Sequence, residues 1–478
     1  MNITAQFNLG KPADGRHNDP ESPLRILILA DWLGDTPASV AVGERRPVSI
    51  DIDNFHQIMA RMAPGLALDG HDNLSFLDIE DFHPDRLCQN LFALKNLILL
   101  YKGLDDPARI RELKAELQES EDASTSADDG QGQSTDLERL LGGRPPDQAR
   151  ETDAESHVRK LLGELVSPHL IDTRATEPHR QAIIGRLTEE LEKVLRNPRF
   201  QSLEAGWRGL WWLVSQLVSE EVKIALLPMT RREFMEDLQS AGTNLAQTAI
   251  HRHAVGSPDQ PPWSLLLGLY EFGPQVDDIM ALTATAMIAE VAGAPFVTAA
   301  DPRLVGCSMP ADLDDPERWA SGPDGEALEL WNSLRQSASG HWISLVLPHW
   351  LARLPYGPDT DPISSFDFTE DPAGGHTLPL ANGALAVAAA LGINFENHGG
   401  AMDAANPVAL DDLPGFSFSV DGEARFQSAV EVPLPDRAIS ELVQHGISPL
   451  VGAVNRTDVH VPGCYSVTGK ILAGRWNR

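Results

Sequence analysis

Leu24–Ala30 reads LRILILA, an apolar run interrupted only by Arg25, with isoleucines at 26 and 28. A short apolar run with β-branched residues reads as a buried strand. Upstream, Lys11–Pro23 is polar and carries glycine and proline. Ahead of it Met1–Gly10 alternates, with Ile3, Ala5, Phe7 and Leu9 on one face and Thr4, Gln6 and Asn8 on the other. That period of two predicts an amphipathic strand detached from the body. Downstream, Pro47–Ile52 alternates as a further strand. Asn54–Met62 follows as a helix, since Phe55, Ile58, Met59 and Met62 recur at helical spacing, with Asp53 as its expected N-cap. Leu74–Ile79 reads as a strand, and Pro84–Leu117 as mostly helix with a break near Gly103–Pro107.

At Glu119 the composition changes. Residues 119–135 are acidic and small, with no large apolar side chain before Asp136. Such a stretch cannot bury enough surface to offset ordering entropy and is expected to be a disordered linker. The chain therefore divides into a module at 1–118, the linker, and a larger module at 136–478. The second module opens on an island, Asp136–Leu141, whose Leu137, Leu140 and Leu141 share one face of a short helix stopped by Gly142, Gly143, Pro145 and Pro146. Ser156–Val166, Arg180–Leu195 and the tryptophan-rich Gln201–Val218 read as helices. Then strand and helix alternate: Val222–Leu227, a helix capped by Thr230 with Glu233 completing a capping box, Ser264–Tyr270, Gln275–Val291 and Pro295–Ala299. Trp342–Leu347, Gly383–Leu391 and Asp436–Gln444 add further elements. The alternation predicts an α/β (mixed α+β) fold.

The 478 residues are 42% hydrophobic and 22% charged, enough apolar material for a sizeable core in two to four domains. Lys and Arg number 38 against 69 Asp and Glu, a net charge of −31. A field of that sign repels phosphate backbones and anionic lipid, so neither nucleic acid nor a membrane surface is expected as a partner. The three cysteines, Cys88, Cys307 and Cys464, are too few and too scattered for a disulfide framework or a zinc motif. The N-terminus lacks the pattern of a signal peptide, and the longest apolar runs are too short to span a bilayer. A cytoplasmic location is expected.

Phosphate-binding loops, the nucleophile elbow, HExxH and a helix-opening GxGxxG are absent from the sequence. His56, His83, His169, His376 and His398 lack partners at metal spacing. The acidic pairs Asp51/Asp53, Asp277/Asp278 and Asp411/Asp412 read as solvated faces and helix caps. Trp207 and Trp211, four apart, share a helical face and predict packed core or interface rather than a stacking platform; His341–Trp342 and His349–Trp350 are read the same way.

Two groups of motifs carry a resemblance. RRPVSIDIDNFHQIMARMAPGLAL (Arg45–Leu68), then LDIEDFHPDRL (Leu77–Leu87), resemble the small subunit of the type VI secretion contractile sheath, TssB or VipA. VLRNPRFQSLEAGWRGLWWLV (Val194–Val214), LARLPYGPDTDPISSFDFTEDPAGGHTLPLANGALAVAAAL (Leu351–Leu391) and EVPLPDRAISELVQHGISPLVGAVNRTDVHVPG (Glu431–Gly463) resemble the large subunit, TssC or VipB. The chain thus looks like both subunits fused through the acidic linker. The resemblance implies a sheath-type core of mixed sheets with flanking helices, built jointly by both modules, plus the detached N-terminal strand. It implies a mechanical role without catalytic residues, cofactor or metal, in a fused sheath-like protomer. Three departures stand out. The similarity runs out at SVTGKILAGRWNR (Ser466–Arg478), so the family's C-terminal strands are expected to be missing. Asn397–Leu413 is only partly similar, and Leu380–Ala381–Asn382 lacks a family tryptophan.

By the same resemblance Ile3, Ala5, Phe7 and Leu9 form a strand-exchange interface, and Leu137, Leu140 and Leu141 a recognition helix for a ClpV-like AAA+ unfoldase. Phe200, Leu203, Trp207, Arg208, Gly209, Pro355, Tyr356, Gly357, Asp436 and Arg437 are structural signature residues: Trp207 core, Arg208 an ion-pair strut, Gly209 a close-packing point, Pro355 and Gly357 a turn. Expected partners are other sheath or baseplate subunits and the inner tube. The expected role is a sheath-associated terminator, seed or baseplate adaptor, with a true polymerising protomer as the alternative and a soluble α/β enzyme as a minor one.

Overall fold

The computed structural model describes residues 22–68, 73–104, 176–256, 261–320, 322–371, 378–420, 423–453 and 456–476. The strand expected at Met1–Gly10, the acidic stretch 119–135, the helix carrying Leu137, Leu140 and Leu141, and the helix at 156–166 lie outside the described residues.

The N-terminal part supplies β1 (Leu24–Ala30), β2 (Val48–Ile50), α1 (Phe55–Met62), α2 (Pro84–Asn90) and α3 (Phe92–Gly103). The C-terminal part supplies α4 (Thr176–Leu195), α5 (Pro198–Gln216), β3 (Val222–Pro228), α6 (Arg231–Ala241), α7 (Ala249–Val255), β4 (Leu265–Phe272) and α8 (Val276–Ala292). It continues with β5 (Phe296–Ala300), α9 (Gly325–Gln336), β6 (Ile343–Leu347), α10 (Gly383–His398), α11 (Asp436–Gln444) and β7 (Ile447–Pro449). These seven strands form one sheet in the order β7-β6-β5-β4-β1-β3-β2. Neighbours run parallel except β2, which is antiparallel to β3. The fold is the expected mixed α/β arrangement.

β1 pairs with β3 from Leu24↔Val222 to Ala30↔Pro228, and with β4 from Ile26↔Leu265 to Leu29↔Gly268. The strand from the N-terminal part therefore lies between two strands from the C-terminal part. An inner parallel strand is buried on both faces, which is why its sequence is a continuous apolar run. Ile26 and Ile28 enter a core with α1–α5 and α10; Leu27 and Leu29 enter the opposite core with α6–α9 and α11. From Gly383 to Ile393 α10 is apolar all round, as a helix enclosed in a core must be. The Asn382 side chain caps α10 by accepting from Ala384 N (2.9 Å), while its Nδ2 donates to the Tyr270 carbonyl at 2.9 Å, tying the helix start to β4.

Several local expectations are corrected. The N-cap of α1 is Asn54, not Asp53; Asn54 N donates to Asp51 Oδ1 at 2.9 Å in the preceding turn. The strand expected over Leu74–Ile79 covers only Leu74–Ser75, because Asp78 and Asp81 form a capping box that starts a 3-10 turn at Ile79. The helical stretch after Pro84 breaks at Leu91, which leaves the helical region and is fully buried. Asp278 is not on a solvated face: it is buried, accepts from Gly273 N at 2.8 Å and pairs with Arg231 at 2.5 Å. The Thr230–Glu233 capping box forms as expected.

Candidate functional site

α5 starts on Asn197, whose side chain accepts from the amides of Arg199 and Phe200, with Pro198 in the first turn where its missing N–H costs nothing. This start sets the helix phase. Phe200, Leu203, Trp207 and Leu210 point into the core. Trp207 meets Trp32 edge-on at 5.2 Å between ring centroids and Phe55 at 5.8 Å; Phe200 meets Phe82 at 5.7 Å and Phe76 at 6.0 Å. All four partners belong to the N-terminal part. Trp211 packs on Phe55 at 4.9 Å, and Trp212 on Trp350 at 4.8 Å. Gly209 lets α10 approach: a Cβ there would sit 2.6 Å from Leu385 Cδ1 and 3.2 Å from Ala381 Cβ.

Behind this aromatic seam lies a charge network. Glu204, fully buried on α5, accepts through Oε1 from Arg208 Nε (2.8 Å), Arg353 Nε (2.9 Å) and the Tyr356 hydroxyl (3.3 Å). Arg353 also grips Glu370, with Nη1 to Oε2 at 2.7 Å and Nη2 to Oε1 at 3.2 Å. Glu370 in turn accepts from Tyr356 N at 3.1 Å. The Arg353 guanidinium lies 3.9 Å over the Tyr356 ring. Burial opposes the charge on Arg353, but Glu204, Tyr356 and Glu370 outweigh it and hold its pKa above the ordinary arginine value. Burial pushes the Tyr356 phenol up, so it keeps the proton it donates. Two guanidinium groups thus balance two carboxylates. Such a network fixes geometry more than it adds stability, but removing one member strands the others.

The segment after Tyr356 is tied to the N-terminal part. Asp85 Oδ1 accepts from Ser365 N at 2.8 Å, and Oδ2 from Ser364 N at 3.0 Å and the Ser364 hydroxyl at 2.8 Å. Burial opposes ionisation of Asp85, but the hydrogen bonds from Ser365 and Ser364 hold its pKa below the ordinary value. His83 meets the Tyr356 ring edge-on at 5.1 Å. DFHPD and LPYGPDTDPISSF, nearly three hundred residues apart, are therefore one contact. Arg45 adds a second tie, a pair with Glu233 at 2.6 Å.

Comparison with known proteins agrees with this junction. A family described as EvpB/VC_A0108, tail sheath N-terminal domain (VipB), matches residues 180–468. A second, described as type VI secretion system, VipA, VC_A0107 or Hcp2, matches residues 6–141. The chain belongs to the type VI secretion tail sheath family. It joins small- and large-subunit sequences in one polypeptide. Over 286 residues it is 30% identical to the type VI secretion system sheath protein TssC1 of Pseudomonas aeruginosa, a match covering 57% of each protein. The chain thus spans little more than half of that relative's length.

Within this sheath-family chain the signature residues are distributed unevenly. Phe200, Leu203, Trp207, Arg208, Gly209, Pro355, Tyr356 and Gly357 converge on the junction, and Gly357 N donates to Asp361 O at 2.9 Å to close a turn. Asp436 and Arg437 do not join them: both are exposed at the start of α11, where Arg437 pairs with Glu317 at 2.7 Å. Ile3, Ala5, Phe7, Leu9, Leu137, Leu140 and Leu141 lie outside the described residues. Sequence reasoning missed Glu204, Arg353, Glu370 and Asp85. The available signal was a charged residue inside each otherwise apolar or turn-rich motif. Among the described residues, no helix is long and apolar enough to cross a membrane.

Proposed function

We propose that this protein is a non-enzymatic structural subunit of a type VI secretion contractile apparatus, acting in the cytoplasm as a fused small-plus-large sheath unit. The observation that carries the reading is β1, which fills the sheet between β3 and β4, so that the two parts share one sheet. Fusion fixes their ratio and removes the concentration dependence of pairing. In this reading residues 1–118 and 136–478 are the two modules and 119–135 the tether. Ile3, Ala5, Phe7 and Leu9 donate a strand to a neighbour's sheet edge. Leu137, Leu140 and Leu141 offer a short amphipathic helix to a ClpV-like unfoldase.

The finer role is docking on sheath, baseplate or inner-tube partners as terminator, seed or adaptor. It is supported by the alternating Met1–Gly10 sequence, which suits a donated strand. Electron microscopy of the purified full chain, alone and with a conventional sheath pair, tests it. The expected result is a monomer or small oligomer alone, and attachment at one end of preformed sheath that is lost on deleting residues 1–10. Long tubes formed by the chain alone overturn the docking role in favour of a polymerising protomer. No association with sheath in either form overturns the structural assignment.

A further inference from the structure

At the C-terminal edge of the parallel strands two clefts of about 390 Å³ each lie side by side. Asp31, Arg231 and Asn382 line one; Asp301, Arg303 and Glu431 line the other; Glu271, His349 and Leu380 belong to both. His349 stands between two carboxylates, with Nε2 3.6 Å from Glu271 Oε2 and Nδ1 3.6 Å from Glu431 Oε2. At these separations the attraction is between charges and needs the imidazolium. The neighbouring cations are engaged elsewhere. Arg231 pairs with Asp278 at 2.5 Å and donates to the Glu271 carbonyl at 3.2 Å; Arg303 is held by Asp301. Glu431 Oε2 is buried with no hydrogen-bond partner among the described residues, so His349 is the cation it faces. The backbone brings the groups together: Glu431 N donates to His349 O at 2.8 Å and Leu351 N to Ala429 O at 2.7 Å.

We propose that His349 is a protonation-controlled latch: as the imidazolium it closes the wall between the two clefts and pins the segment 428–435 to the end of β4, and on deprotonation it weakens that hold, leaving the backbone bonds to His349 and Leu351 in place. The segment connects the hairpin Phe416–Val420/Glu423–Gln427 to α11, so the latch sets how firmly the hairpin is held. Burial opposes protonation of His349, but Glu431, Glu271 and Asp301 outweigh it and hold its pKa above the ordinary value. Burial also raises Glu271, with Asp301 and Glu431 adding to the rise and His349, ahead of Arg303, opposing it. The sign follows: a raised histidine contributes stability that is fully present below its unfolded value, about 6.5, and lost as pH rises through the folded value. The latch is closed in mildly acidic solution and opens as pH rises through the folded value, which lies above about 6.5.

Two measurements on the full chain test this. Histidine NMR, with the His349 resonance assigned by its absence from His349→Gln, should give a midpoint above about 6.5. Hydrogen exchange of 428–435, corrected for intrinsic rates, should show protection falling by about threefold or more between pH 6 and 9. In Glu431→Gln the midpoint should drop and the pH dependence of protection should flatten; this variant carries the test if His349→Gln fails to fold. A wild-type midpoint at or below the ordinary value, protection that does not change with pH, or an unaltered profile in Glu431→Gln would overturn the latch.

Discussion

The two faces of the central sheet are built by different contributors. One face is covered by α6–α9 and α11, all from the C-terminal part, which meets the N-terminal part there through Leu27 and Leu29 of β1, Val42 and the Arg45–Glu233 pair. The other combines α1–α3 with α4, α5 and α10, and its aromatic contacts run across the junction: Trp32 and Phe55 on Trp207, Phe76 and Phe82 on Phe200. The first face is largely complete within one module. The second has no closed core unless both are present. This asymmetry explains why the buried charge network and the Asp85 tie lie on the shared side, where orientation between modules must be fixed as well as packing.

Substitutions can break or sharpen that contrast. Trp207→Ala should cost about 3–5 kcal/mol and loosen the amides of α1–α3 along with α5. Phe234→Ala, on the other face, should lower stability by a similar amount while α1–α3 stay protected. Melting with hydrogen exchange separates the two, and equal loss of α1–α3 protection in both variants would mean the faces are not distinct. Glu204→Ala should cost about 3 kcal/mol or more in denaturant titration, because Arg208 and Arg353 lose a shared buried counter-ion. The double variant with Arg353→Met should lose less than the sum of the two single losses, since both act on the same buried network; strict additivity would show that the network is not coupled.

Gly209→Val should cost about 1–3 kcal/mol by forcing α5 away from Leu385. Asp85→Ala should cost about 1–2 kcal/mol, since the Ser364 and Ser365 amides lose their acceptor. Because the folded Asp85 pKa lies below its unfolded value, this stabilisation is present above about pH 4 and lost as pH falls through the folded value. The gap between wild type and Asp85→Ala should therefore close in acid, and a gap that persists at pH 2 would assign the loss to packing. Smallest of all, Arg437→Ala should leave the melting temperature unchanged, because its partner Glu317 is also exposed.

Much of the fold could be read along the chain. LRILILA is a buried strand because an inner parallel strand has no polar face, and Asp436–Gln444 and the Thr230 cap follow from local spacing and capping chemistry. Where reading failed, a local alternative competed. Asp78 with Asp81 turned the end of an expected strand into a 3-10 turn, and Asn54 took the place of Asp53. The junction was half legible. Trp207, Arg208, Gly209 and Tyr356 were singled out, but Glu204, Arg353 and Glu370 were passed over. A charged residue inside an apolar motif does not reveal from spacing alone which distant partner neutralises it.

The sequence by itself determined the family, the strand and helix alternation and the strongly acidic character, because these depend on local residue pattern and on sums over the chain. Only the tertiary structure decided that β1 enters the sheet between β3 and β4, that Asp85 receives the Ser364 and Ser365 amides, and that His349 faces Glu271 and Glu431. Strand order and ion pairing join residues far apart in the chain. Their energies depend on burial and distance, and neither is set until the chain has closed around them.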